Sequence, residues 1–327
     1  MDSILSLAAA NILSPMVLAF ALGFGASLAR SDLSVPEAAA KALSLYLLFA
    51  IGFKGGVSVA ESGLSVQLLG ALVAGLVLSA LIPFVAFGLL RVMSGLSVID
   101  AAAVAAHYGS ISVVTFVAAS SALDAAGLAY EGYMVAVAAA MEAPAILSAL
   151  WLIGTRAPGA VQAEGGLMRE IMLNGSIVLL VGSFAIGWIT GPKGLADIEA
   201  FVVAPFKGVL CLFLLDMGLV AGRGFREARG VLRPALVGFG LLMPLLGASL
   251  GAVAGLLVGL SPGGLALLVT LSASASYIAV PAAMRVALPQ ANPSVYLTLS
   301  LGITFPFNLT LGIPAYIALG TWLGGGG

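Results

Sequence analysis

Charge is what this chain has least of. Its 327 residues include 13 basic and 14 acidic side chains, 8% of the total, where a soluble domain carries roughly 25%. So few charges cannot cover the surface of a water-soluble globule of this size. Cysteine and histidine are nearly absent as well, with one of each, Cys211 and His107. A lone cysteine excludes an internal disulfide, and the lack of any Cys/His cluster excludes a zinc-type centre. Cys211 lies in an apolar stretch and reads as a small buried hydrophobe. The net charge of −1 leaves no basic face for nucleic acid. Residues Met1–Ala10 contain Asp2 but no Lys or Arg. The positive start of a cleavable signal peptide is therefore missing, and the first apolar segment is expected to remain in the protein.

Apolar residues dominate, at 61%, and they come in runs of the length a bilayer requires. Punctuation by proline, glycine and charge predicts ten spans, near 12–29, 36–53, 66–90, 97–122, 131–154, 171–190, 199–221, 231–259, 263–288 and 294–323. The expected fold class is thus an all-α membrane protein. The longest polar connection, 155–170, separates a first unit (1–154) from a second (171–327). With ten spans both termini lie on one side. Opposite them fall Arg30, Lys41, Arg91, Arg156, Arg169, Arg223, Arg226, Arg229, Arg233 and Arg285; only Lys54, Lys193 and Lys207 share the terminal side. The positive-inside rule then puts the termini outside and the linker in the cytoplasm of an inner (plasma) membrane protein.

The two units echo each other. LFAIGFKGG at 48–56 returns as LLDMGLVAG at 214–222. The polar break Gly109-Ser-Ile-Ser112 returns as Ser274-Ala-Ser-Tyr277, and Tyr133 to Pro144 is shadowed by Tyr296 to Pro306. Five spans per unit make the second copy enter the membrane inverted, an architecture typical of secondary transporters.

Spans 4 and 9 are interrupted by small and polar residues. A broken helix is tolerated at membrane depth only where protein or a watery cavity satisfies its backbone. Gly109 and Pro281 supply the breakers. Ser110, Ser112, Thr115, Ser274 and Ser276 supply hydroxyls beside the N-terminal ends of the following half-helices, where partial positive charge suits an anion. No arginine fork accompanies them, so a small oxyanion fits better than an organic phosphate. Alternatively, these small residues serve close helix packing.

An ionisable group within a span costs roughly 2.5–3.5 kcal/mol on insertion scales and needs a reason. Glu142, beside Pro144, reads as a cation ligand or proton carrier. Asp216 either joins it or reaches the cytoplasmic interface near Arg223. Lys54, at the expected end of span 2, either joins the site or snorkels outward. His107 reads as a hydrogen-bonded helix histidine or a charge switch. Asn308 offers an amide carbonyl to an ion.

The runs Ile51-Gly-Phe-Lys-Gly-Gly56, Glu142-Ala-Pro-Ala145, Pro281–Ser294 and Gly302-Ile-Thr-Phe-Pro306 resemble the sodium-dependent bicarbonate transporters of the SbtA type, over essentially the whole chain. The resemblance implies two inverted five-span repeats, a homotrimer in the lipid bilayer, and bicarbonate uptake coupled to inward sodium flow, with no other cofactor. It places the substrate site around Gly109–Thr115 and Ser272–Ile278, and assigns Glu142 the family's carboxylate. Tyr277 stands where the family has an acidic residue, and Lys54 where it has a small hydroxyl residue. Both changes work against a bound sodium ion, and an ammonium facing the cavity would substitute for the cation. The family's PII-like cytoplasmic regulator finds no docking motif in the 155–170 linker. A cation/proton antiporter or a small organic-anion symporter shares the same pattern of breaks. An intramembrane enzyme would need a metal motif or an oriented Ser–His or paired-Asp group, and His107 with Ser110 has no orienting partner.

Overall fold

The computed structural model describes residues 12–63, 65–157, 173, 175–227 and 233–325. Apart from residues 155–157, the 155–170 linker lies outside them, as do Arg169, Arg229 and the first eleven residues. The described chain is helical without a strand. Eight of its helical segments are long and apolar enough to cross a membrane, and two shorter apolar helices, Pro15–Leu28 and Pro262–Ala273, accompany them.

In chain order the helices are α1 (Pro15–Leu28), α2 (Glu37–Ser62), α3 (Val66–Met93), α4 (Val98–Gly109), α5 (Val113–Ala125), α6 (Met134–Ala140), α7 (Ala143–Arg156), α8 (Gly175–Val202), α9 (Phe206–Glu227), α10 (Pro234–Val258), α11 (Pro262–Ala273), α12 (Ala279–Ala287) and α13 (Pro293–Gly324). The interruption of span 4 falls between α4 and α5, and that of span 9 between α11 and α12. Two boundaries depart furthest from the sequence reading. Helix α2 continues two turns past Lys54, so this lysine does not end the span. Helix α8 runs on from the expected limit at 190 to Val202, turning at Gly191, whose φ of +60° suits a residue without Cβ, just before Pro192.

One further break was not anticipated. Span 5 parts at Met141 and Glu142 into α6 and α7. Pro144 has no N–H to donate, and its ring crowds the carbonyl four residues back, that of Ala140. Helix α13 departs from regular α geometry in another way, with π-helical stretches at Thr298–Thr304 and Asn308–Gly312.

Packing sorts the helices into two groups. Helix α1 lies against α9 and α2 against α8; α3 packs on α4 and α10 on α11, while α4 also meets α7 and α11 meets the end of α13. Glycines set the first group's spacing. A Cβ on Gly56 would strike the Phe184 carbonyl, and one on Gly218 the Phe20 carbonyl. The motifs at 48–56 and 214–222 thus mark places in this group where helix backbones touch, as small residues allow in lipid.

Two carboxylates knit the second group across the halves. Asp100, in the first turn of α4, accepts from the Asn292 backbone N–H at 2.8 Å, at the start of α13. Glu131, before α6, accepts from the Ser261 N–H (2.8 Å) and hydroxyl (3.0 Å) at the start of α11. Apolar side chains that face away from both groups, such as Val66, Val73 and Val77 on α3 or Ile189 on α8, are exposed, as a lipid-bathed surface requires.

Substituting Gly56 or Gly218 by leucine forces two backbones apart. We expect a loss of about 1–3 kcal/mol, the usual cost of overpacking, seen as a lower thermal midpoint in detergent. The same substitution at Gly25, where a Cβ meets nothing, should leave the midpoint unchanged.

Candidate functional site at the crossing of two broken helices

The unwound residues of span 4 meet those of span 9. The Ser112 N–H donates to the Ser274 hydroxyl at 2.9 Å, and the Ser276 N–H donates to the His107 carbonyl at 2.7 Å. Each break therefore supplies partners that the other's missing helical turn has lost. Local bonds finish the ends. The Ser112 hydroxyl accepts from the Thr115 N–H and so caps α5 (3.2 Å), while the Ser274 hydroxyl donates to the Leu271 carbonyl (2.8 Å).

Supports surround the crossing. Nδ1 of His107 donates to the Ala103 carbonyl (2.7 Å), and its ring stacks on Tyr296 with centroids 4.4 Å apart. His107 is thus a hydrogen-bonded helix histidine, the first of the two sequence readings. Tyr108 and Thr304 share a 2.6 Å hydrogen bond, and the Thr304 hydroxyl reaches the Gly240 carbonyl at 2.7 Å. The Asn308 amide N–H donates to the Ala273 carbonyl at the end of α11 (2.9 Å), while its oxygen accepts from the Tyr316 hydroxyl (2.8 Å). Asn308 thus braces the break, and its carbonyl, the one expected to meet an ion, accepts one hydrogen bond here.

A narrow pocket opens beside the crossing. Ser112, Ser276, Tyr277 and Glu142 line it from one side, and Ser44 and Phe213 from the other. The N-terminal ends of α5 and α12 border it, since Val113 and Ala279 belong to its wall. Glu142 is 2% exposed, and its Oε2 has no hydrogen-bond partner. Ser110 is equally buried and its hydroxyl is also unpartnered. Gly109, Ser110, Thr115 and Ser274 build the crossing without reaching the pocket wall. The far wall, from α2, α8 and α9, escaped sequence reasoning, because Ser44, Ser176 and Phe213 are unremarkable in apolar helices.

Two expected members lie elsewhere. Lys54 sits with Nζ over the Phe206 ring, 5.1 Å from its centroid, in a separate recess shared with Asp124 and Tyr130. It does not line the pocket, so its ammonium does not occupy a cation's place there. Burial first, and then the Asp124 charge, push the Tyr130 hydroxyl up to about 12, so it remains a donor. Asp216 is buried on α9, does not line the pocket, and interacts electrostatically with Arg223.

A second recess, bordered by Arg223, Arg285, Thr298 and Gly302, runs up to Tyr277 and Ile278 and so shares two residues with the pocket. The Lys54 recess shares none. Among the described residues no group of His, Cys, Asp and Glu has the makings of a multidentate metal centre.

Residues 15–321 match the Na+-dependent bicarbonate transporter superfamily. The chain belongs to that superfamily. The match covers nearly the whole sequence, including both breaks and Glu142, and it makes this a multi-pass membrane protein of a transporter family rather than of an enzyme family. Superfamily membership implies Na+-dependent bicarbonate transport. No curated protein matches the chain.

Within this superfamily member the brace around the break is testable by stability alone. Asn308→Leu strands the Ala273 carbonyl and the Tyr316 hydroxyl, and should cost about 1–3 kcal/mol per stranded buried group. Tyr316→Phe strands only the Asn308 oxygen and should cost less. Thermal unfolding of the purified protein in detergent gives the comparison.

Proposed function

We propose that the chain is a secondary active symporter that carries bicarbonate inward with sodium by alternating access, and that Ser112, Ser276 and the N-terminal ends of α5 and α12 hold the anion. The observation that carries this reading is Glu142, buried in the pocket wall with one oxygen unpartnered. A carboxylate beside an anion, out of water, is strongly unfavourable unless a positive charge joins them. Sodium between Glu142 and the anion meets that need. The anion then cannot settle without its cation, and this mutual requirement is the physical content of coupling.

The reading includes ten spans in two inverted five-span repeats. The packing scheme supports it: exchanging α1 with α8, α2 with α9, α3 with α10 and α4 with α11 maps the observed helix pairs onto one another. The two recesses correspond in the same way, one between α2, α5 and the start of α6, the other between α9, α12 and the start of α13. The group α1, α2, α8 and α9 would form one bundle and the remainder the other, with the pocket between them. The recess that reaches the pocket is the one carrying Arg223 and Arg285, so the present arrangement fits access from the basic side. By the positive-inside rule that side is the cytoplasm, with both termini outside. The homotrimer implied by the resemblance belongs to the same proposal.

Uptake of labelled bicarbonate into proteoliposomes tests it. With external sodium, the wild type should accumulate label; with choline in its place, uptake should fall at least tenfold. Glu142→Gln should lose the sodium-dependent part while inserting normally, and Ser112→Ala should raise the half-saturating bicarbonate concentration. Full uptake in choline, with or without a proton gradient, would remove sodium from the scheme. Wild-type coupling in Glu142→Gln would remove the carboxylate.

A further inference from the structure

The recess next to the pocket has a chemistry of its own that the proposed bicarbonate site does not use. Arg223 comes from α9 and Arg285 from α12, and both line the same cavity with the side chains of Ser294 and Thr298. No carboxylate borders this cavity among the described residues. Asp216, the acidic group that interacts with Arg223, lies seven residues back on the same helix, about 10 Å along its axis. Arg285 has a neutral partner, the Tyr296 hydroxyl. Two guanidiniums in one concavity repel each other and focus a positive field into it. Their planar forks match the oxygens of a tetrahedral oxyanion, and two positive charges match a dianion better than the singly charged bicarbonate.

We propose that this recess is a second anion site, which takes a phosphate-class anion between Arg223 and Arg285. Because α9 and α12 belong to different helix groups, such a ligand ties the groups together. On the reading that transport needs these groups to shift, a bound phosphate holds the carrier facing the arginine side and slows uptake. Free phosphate in the cytoplasm supplies such a dianion, and the phosphodiester headgroup of an anionic lipid offers the same tetrahedral oxygens with a single charge.

The test reads binding without depending on transport. The protein is placed in nanodiscs of phosphatidylcholine, whose phosphate is masked by its own ammonium, and its thermal midpoint is followed as inorganic phosphate is titrated. A parallel series replaces part of the lipid with phosphatidylglycerol at zero free phosphate. A saturable rise in midpoint that is absent from both Arg223→Gln and Arg285→Gln is expected. A rise with phosphate identifies the soluble anion; a rise with phosphatidylglycerol alone identifies the headgroup. Arg223→Lys and Arg285→Lys, which keep the charge without the fork, should respond at several-fold higher phosphate and stand in if a glutamine variant does not fold. No rise with either ligand, or an equal rise in the variants, overturns the proposal. In proteoliposomes, phosphate on the arginine side should cut sodium-driven bicarbonate uptake by the wild type severalfold but leave each variant's own rate unchanged. Binding without this inhibition would overturn the tie between helix groups, and absence of uptake altogether would count against the transport reading rather than the site.

Discussion

A backbone in lipid cannot leave its N–H and C=O groups unpaired, and this requirement governs the centre of the molecule. Both interrupted spans forgo a turn of helical bonding at the depth where water is scarcest. They recover it from one another, through Ser112 to Ser274 and Ser276 to His107. The exchange fixes how the breaks cross, and with it the direction of the two half-helix ends that border the pocket. Everything nearby serves that crossing: the His107–Tyr296 stack, the Tyr108–Thr304–Gly240 chain and the Asn308 brace.

The two helix groups hold together by partly different means. In the group of α1, α2, α8 and α9, glycines let backbones touch, so the group coheres by close packing over long apolar faces. In the other, glycines also bring backbones together, Gly247 against the Ser272 carbonyl, and carboxylates join halves of the chain that are far apart in sequence, Asp100 to Asn292 and Glu131 to Ser261. The pocket lies where the two groups meet. Close glycine contacts cross this seam, Gly55 against Val135 and Gly132 against Ser58, whereas the carboxylate ties stay within the second group.

The all-helical membrane character and both breaks were legible in the sequence, because apolar runs of bilayer length are punctuated by serine, proline and charge. The echoed glycines of 48–56 and 214–222 proved to mark backbone contacts. Glu142 stood out for the same reason, as a carboxylate among apolar neighbours. What stayed hidden depends on direction rather than type. A helix apolar on all sides shows no face by its periodicity, so nothing told that Lys54 points to Phe206 rather than to the pocket, or that Ser44 and Phe213 form its far wall. The Tyr316 hydroxyl that donates to the Asn308 carbonyl stayed hidden as well, because it lies two helical turns further on. The signal for the break at Met141 and Glu142 was present in Pro144, whose effect falls up to four residues upstream of itself.

The π-helical stretches of α13 give that helix an unusual sensitivity to length. Each winds its residues more loosely than an α-helix, which has 3.6 per turn, and Thr304 and Asn308 both sit on such stretches. Losing one residue upstream of Thr304 would swing everything beyond by about 100°, pulling Thr304 from Tyr108 and the asparagine from Ala273. The last helix therefore behaves as a calibrated spacer. It should accept exchanges of one apolar side chain for another far more readily than any change in residue number.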